Sequence, residues 1–261
     1  MIFNSVKKLV DQRDFIWTLT KREVFSKYKQ SILGIFWVIL QPLILIAILT
    51  IVFSAFVRLP SEGVPYALFL TVAMIPWRFF NTAVNGSTKT ITGFAGLIKQ
   101  RSFYRPALII VKLISETITF AFASVGIVAL MIYFGWTPGI NAFYALLLFC
   151  VQLIIMLGLM FLLSALNVYV RDVGFAVPLV LRLWFYMCPI IYSFENVPIQ
   201  YQPYLALNPM VAILDGYRKT LLHNELPDFT MLAYSFSFGI IVLIIGWITF
   251  MKLEKNFADV I

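Results

Sequence analysis

Charge is the scarcest property of this sequence. Of its 261 residues only 12% are Asp, Glu, Lys or Arg, while 61% are hydrophobic. The charged share is about half that of a water-soluble domain, so a water-soluble fold is excluded. Reactive side chains are equally sparse. The two cysteines, Cys150 and Cys188, lie in apolar runs with no Cys or His at ligand spacing, and read as inert packing residues. The single histidine, His223, has no second group with which to form a metal site or an acid–base pair. No catalytic or metal-ligating residue is therefore assigned. A phosphate-binding loop is also missing. The nearest string, Gly86-Ser87-Thr88-Lys89-Thr90, has a threonine where a P-loop needs glycine so that backbone amides can approach a phosphate. ATP and Mg2+, where they are used, belong to another polypeptide. Asn85-Gly86-Ser87 is formally a glycosylation acceptor, but its connection is assigned to the cytoplasm below. No cleavable leader is expected, because the first apolar run begins near Ser31 and exceeds the length of a secretory core.

What is present is hydrocarbon in long runs. A membrane-spanning helix needs about 20 apolar residues, and six stretches qualify: 32–57, 64–84, 108–134, 142–166, 175–192 and 229–251. The expected fold is an all-α membrane protein with six spans and both termini on one side. Aromatic residues, 16% of the chain, suit repeated passage through bilayer interfaces. The net charge of +8 would suit nucleic acid or an anionic membrane, and its distribution decides. Lys7, Lys8, Arg13, Lys21, Arg22, Lys27 and Lys29 precede the first span. Lys89, Lys99, Arg101 and Arg105 lie in the second connection, Arg171 in the fourth, and Lys252 and Lys255 in the tail. The other connections hold only Arg58, Arg218 and Lys219. By the positive-inside rule the termini and the second and fourth connections are cytoplasmic, and nucleic acid is not a partner.

Two segments outside the spans carry helical periodicity. Phe3, Val6, Val10, Trp17, Val24 and Tyr28 recur at roughly helical intervals, interrupted by Arg13 and Thr20. Residues 1–31 thus read either as a basic amphipathic helix on the inner membrane surface, anchored by Trp17, or as a solvated basic leader. Before the last span, Asn208-Pro209 marks a break, after which Met210, Ile213, Leu214, Tyr217 and Leu221 form a stripe. The region 198–224 reads as a pair of re-entrant helices or as a helix lying flat on the interface. Ionisable residues in or near the spans are few, and each costs roughly 2.5–3.5 kcal/mol at the bilayer centre. Lys112 and Glu116 are four apart and can pair. Arg78 lies near a span end and can snorkel. Arg171 with Asp172 stands at a border. Arg182 is further in, and calls for a partner such as Glu116 or a backbone carbonyl, or for a phosphate of a bound lipid.

Four strings, in order along the chain, resemble the permease subunits of ABC-2-type polysaccharide exporters. They are Lys27-Tyr28-Lys29-Gln30-Ser31-Ile32-Leu33-Gly34-Ile35-Phe36-Trp37 running into Gln41-Pro42-Leu43, then Asn167-Val168-Tyr169-Val170-Arg171-Asp172-Val173, then Pro189-Ile190-Ile191-Tyr192, and Leu207-Asn208-Pro209-Met210. The resemblance implies an interface helix, six spans, re-entrant helices and a homodimer docked on two copies of a separate ATPase, in the bacterial inner membrane. The first string looks most like O-antigen exporters, with capsule and teichoic-acid exporters as alternatives. A coupling helix that touches the ATPase is implied within 93–105, with Phe94, Leu97, Lys99, Arg101, Phe103 and Arg105 as contact candidates. Phe103-Tyr104-Arg105 departs from the family's frequent Phe-Pro-Arg. Asn208, Pro209 and Met210 are candidates for an exit gate. Sugars stack their C–H faces on aromatic rings, so Phe36, Trp37, Trp77, Trp184, Phe185 and Tyr186, with Arg78 and Arg182, are candidates to line the path of a lipid-linked polysaccharide. Two more distant readings remain. A secondary transporter would be expected to show more intramembrane carboxylates than Glu116 alone and an internal repeat. A membrane glycosyltransferase or acyltransferase would need a cluster of catalytic groups that the sequence lacks.

Overall fold

A computed structural model describes residues 2–26, 33–100 and 103–261. Lys27 to Lys29, Tyr28 and Arg101 therefore lie outside the described residues, as do the side chains of Phe3 and Val6. Every regular element among the described residues is helical. Two helices open the chain, α1 (Ile2–Asp11) and α2 (Arg13–Ser26). There follow α3 (Trp37–Thr50), prolonged by a π-helical turn Ile51–Phe56, and α4 (Tyr66–Thr88). Two short helices, α5 (Thr90–Gly93) and α6 (Ala95–Gln100), lead to α7 (Pro106–Tyr133) and α8 (Tyr144–Tyr169). Then come α9 (Val173–Tyr186), α10 (Gln202–Ala206), α11 (Pro209–Arg218) with a π-turn Lys219–His223, α12 (Phe229–Leu253) and α13 (Phe257–Val260).

Five of the six expected stretches form helices long and apolar enough to cross a bilayer: Trp37–Phe56, Tyr66–Thr88, Pro106–Tyr133, Ile140–Tyr169 and Phe229–Val260. The sixth, expected over 175–192, is the 14-residue α9. At 1.5 Å per residue it rises about 21 Å, short of a roughly 30 Å hydrocarbon core. Pro189 shortly after its last turn blocks continuation of the helix, and the chain runs on without regular structure to Tyr201. The other ends follow local chemistry. Pro106 starts α7, and Gly135 ends it with φ 67° while Trp136 N–H reaches back to the Met131 carbonyl at 2.8 Å. The Asp228 carboxylate accepts from the Thr230 and Met231 amides at 2.9 and 3.0 Å and caps α12.

Helix α4 is the axis of the fold. Leu68, Phe69, Leu70, Val72, Phe80 and Ala83 are completely buried, against α3, α7, α8, α9 and α11. Helices α8 and α12 form the closest pair, and small residues make that possible. A Cβ on Gly246 would stand 2.2 Å from the Gly158 carbonyl oxygen, and one on Gly158 would stand 2.6 Å from the Leu243 amide nitrogen. Because hydrocarbon tails match Leu in polarity, close backbone approach supplies dispersion that burial alone does not.

The stripe residues of the N-terminal helices divide between a face packed on the protein and a face turned outward. Helix α2 packs on the start of α7 with Ile16, Thr20 and Val24 buried, beside Ala107 and Val111. Trp17 and Val10 point outward, at 51% and 58% exposure. Thr20, which interrupts the stripe, is fully buried. The buried face is set by a polar contact that apolar periodicity does not register: Glu23 reaches Lys112 Nζ at 2.8 Å, and Lys112 also meets Glu116 at 2.9 Å as the sequence suggests. At this same end Arg105 donates to the Glu254 carbonyl, α6 packs on α13, and Phe15 meets Phe103 at 5.3 Å between ring centroids. The N-terminal helices, the 89–105 connection and the C-terminal tail thus share one end of the bundle. The other end is knit by Glu62 with His223 at 3.0 Å and by Asn224 with Asn141.

Candidate functional site: a groove between three helices

Helix α3 places Leu45, Leu49 and Phe53 four residues apart on one face, and this face forms the apolar wall of a groove of about 550 Å3. The opposite wall is α4. Trp77 and Arg78 line it, followed by Asn81, Thr82 and Asn85; Arg78, Asn81, Thr82 and Asn85 are at i, i+3, i+4 and i+7, one continuous polar stripe. Helix α9 closes the third side with Pro178, Arg182, Phe185 and Tyr186, and Ile191 stands at its end. Of the expected pathway residues, the fold brings Trp77, Arg78, Arg182, Phe185 and Tyr186 into this one groove. Trp184 stands behind it, edge-on to Trp77 at 6.3 Å and to Phe80 at 5.3 Å. Phe36 and Trp37 precede the groove wall on the chain and are not part of its lining. Arg182 is exposed within the protomer, and Arg78 is half-buried. Glu116, weighed from sequence as a partner for Arg182, pairs with Lys112 and faces a second cavity of about 290 Å3, shared with Arg78 and Gln41.

The end of the groove is fixed by two residues on the later helices. Asn208 caps α11, its Oδ1 accepting from the Met210 amide at 3.1 Å and from Trp184 Nε1 at 2.8 Å. Its Nδ2 donates to the Met187 carbonyl at 3.1 Å and to Cys188 Sγ at 3.3 Å. Pro209 accepts from Ser235 Oγ at 2.8 Å, and Met210 is fully buried. The three exit-gate candidates are thus joints between α9, α11 and α12. Arg218 is the residue that sequence reasoning missed. It is 1% exposed, and its guanidinium carbon sits 3.6 Å from the centre of the Phe69 ring. It donates to the carbonyls of Phe69 at 3.3 Å, Pro189 at 2.6 Å, Tyr192 at 3.1 Å and Ile190. Tyr66 donates to the Ile191 carbonyl between them at 2.8 Å. Four successive carbonyls of a non-helical stretch are therefore satisfied by protein, the condition under which such backbone survives at membrane depth. The signal was present: Arg218 lies four residues after Leu214 and three before Leu221, on the apolar stripe.

The implied coupling residues lie at the opposite end. Phe94 and Leu97 are half-buried and Lys99 is exposed. Phe103 and Arg105 are engaged with α2 and the C-terminal segment. Together with Lys99, Gln100, Glu254 and Lys255 they border a polar depression of about 600 Å3.

Five helices long and apolar enough to span, with an aromatic and arginine-lined groove between α3, α4 and α9, define a polytopic membrane protein. The family can be stated more closely: the ABC-2 type transporter model matches residues 14–222, and the chain belongs to that family. It is 25% identical over 249 residues to the O-antigen export system permease protein RfbA of Klebsiella pneumoniae, covering 95% of each chain. The protein of that name from Myxococcus xanthus is 26% identical over 256 residues, covering 97% of this chain and 98% of the relative. The polysialic acid transport protein KpsM of Escherichia coli is 25% identical over 242 residues, covering 90% and 92%.

Proposed function

We propose that this chain is the membrane-spanning permease subunit of an ATP-binding-cassette exporter that moves a lipid-linked polysaccharide, of O-antigen type, out of the cytoplasm across the cytoplasmic membrane. The observation that carries the reading is the groove, which joins aromatic faces suited to sugars with guanidinium groups suited to phosphate, in a chain similar over nearly its whole length to O-antigen permeases. Energy comes from a separate ATPase, two copies on a homodimer of this chain. The apolar faces of α3 and α9, including Ile44, Ile48, Phe175, Leu179 and Leu183, are uncovered in the protomer and suit lipid or a second copy. The α6 region and its polar depression form the ATPase contact. Helix α9 with the stretch that follows makes the sixth crossing, and α10 and α11 enter and leave the outer leaflet. Both termini then face the cytoplasm, in keeping with their common end and with the lysine and arginine distribution. The likeness to KpsM favours a capsular polysaccharide as the second reading.

Co-expression with a candidate ABC ATPase subunit from the same genome tests the reading. The two proteins should co-purify, and cells lacking this chain should accumulate lipid-linked glycan on the inner face of the membrane, identifiable by mass spectrometry. Export that continues without the ATPase would overturn it. In a background without Cys150 and Cys188, cysteines at Lys99 and Asn196 should label oppositely with an impermeant reagent, position 196 from outside.

A further inference from the structure

Resting on the reading of the α6 region as the ATPase contact, we propose that the turn 254–261 is a strut that positions α6, with Phe257 as its positioning residue. A displacement that the ATPase imposes on α6 reaches the membrane helices through this turn. Helix α6 does not hold itself in place. It has six residues, Gly93 precedes it and Gly96 lies inside it, each with open space around it, and a helix so short is not stable alone. Its anchor is tertiary. Ile98 is buried, Phe94 and Leu97 are half-buried, and among the described residues α13 is the one element on which α6 packs closely. Helix α13 has only four residues and is held in turn by Phe257, which is completely buried. The Phe257 ring meets Phe250 of α12 edge-on at 5.5 Å and Tyr169 of α8 at 6.3 Å. The backbone just before it is tied from two further sides. Tyr169 Oη donates to the Leu253 carbonyl at 3.0 Å, and Arg105, at the start of α7, donates to the Glu254 carbonyl. A guanidinium at the end of α12 also meets the negative end of the helix dipole. Helices α8 and α12, on which the turn is seated, touch backbone to backbone at Gly158 and Gly246, so a load on the turn passes to two spans together.

Hydrogen exchange on the intact complex of this chain with its ATPase, in lipid nanodiscs, tests the strut, with glycan export in cells as the functional readout. In Phe257→Ala the amides of 94–100 should exchange about tenfold faster, while those of the buried stretch 68–73 of α4 exchange as in the parent. ATP hydrolysis by the complex should continue while export falls about fivefold, within the range by which residues along a coupling path alter coupling. Phe257→Leu keeps most of the apolar fill and should stay within about threefold of the parent on both measures. Tyr169→Phe removes one hydroxyl and opens no cavity, so it decides the matter where Ala disturbs folding; exchange at 94–100 should rise about threefold, as for the loss of one neutral hydrogen bond. Unchanged exchange at 94–100 in both Phe257→Ala and Tyr169→Phe overturns the proposal, as does full export by a Phe257→Ala complex whose α6 has loosened. Cross-linking to the ATPase from a cysteine at Lys99, in the background without Cys150 and Cys188, separates these failures from failure of the reading beneath them. A cross-link in the parent together with indifferent exchange retires only the strut. Export without any cross-link retires the α6 contact itself, and the coupling proposed through it.

Discussion

The Arg218 cage makes a quantitative prediction that its neighbour Cys188 can report. Arg218 holds the carbonyls of Phe69, Pro189, Ile190 and Tyr192, and Cys188, next in the chain, is 1% exposed. Substituting Met at 218 keeps most of the side-chain volume against the Phe69 ring and removes all four hydrogen bonds. Bonds from a charged donor contribute about 1.5–3 kcal/mol each when counted singly. The sum overstates the loss, because a freed loop turns some carbonyls toward water. The cost of breaking a buried charged contact, about 3–5 kcal/mol, is the better measure. Local opening of 187–192 should become easier by that amount. In a Cys150→Ala background, alkylation of Cys188 should then accelerate by about 10²- to 4 × 10³-fold, since each 1.4 kcal/mol is a factor of ten. Arg218→Lys should fall between, because one ammonium with three donors cannot span four carbonyls contributed by two segments. Alkylation within about threefold of the parent, with an unchanged melting temperature in detergent, would show that water replaces the cage without loss and would refute the reasoning.

Two further perturbations follow from packing. Gly246→Ala places a methyl group 2.2 Å from the Gly158 carbonyl, where only backbone can yield, so the α8–α12 pair should separate and destabilise the protein by about 1–3 kcal/mol or more; Gly96→Ala, with open space around it, should melt with the parent. Lys112→Met leaves Glu23 and Glu116 facing each other without their shared cation, and a cysteine at the buried Thr20 position should alkylate much faster as α2 lifts from α7. Adding Glu116→Gln should restore part of the protection, and equal rates in all three proteins would remove the ion triad from the docking of α2.

The spans were legible because length and hydrocarbon content settle them, and four of the five long helices start and end within a few residues of the apolar runs. The N-terminal segment shows what periodicity leaves open, namely which face of α2 the protein itself covers. Its buried face is chosen by Glu23 meeting Lys112, a residue some ninety positions away, and Thr20 rides inward with it. Apolar periodicity ranks Trp17 above Thr20. The fold ranks them the other way, because the ion pair fixes the rotation of α2 and Trp17 remains available to the surroundings. Arg218 illustrates the same limit. A count of lysine and arginine by connection treats it as loop charge, although its partners are backbone carbonyls, which no sequence pattern displays.

The groove was half legible, for a reason that lies in how span signals are read. Trp77, Arg78, Arg182, Phe185 and Tyr186 stand out singly as aromatics or charges in an apolar context, and a resemblance to exporters groups them. Asn81, Thr82 and Asn85 do not stand out, because a window about 20 residues long averages three mild polar groups into the end of a helix. Read at helical spacing from Arg78, they are the residues that convert one charge into a surface. A lone arginine near a span end can be explained by snorkelling, which needs only a path to water. Thr82 can satisfy its hydroxyl on the Arg78 and Phe79 carbonyls, but the amides of Asn81 and Asn85, one turn apart on the same face, favour a polar or wet neighbour over hydrocarbon. The stripe therefore argues that α4 borders a hydrated path along its second half, and that Arg182, across the groove on α9, faces that same path rather than lipid.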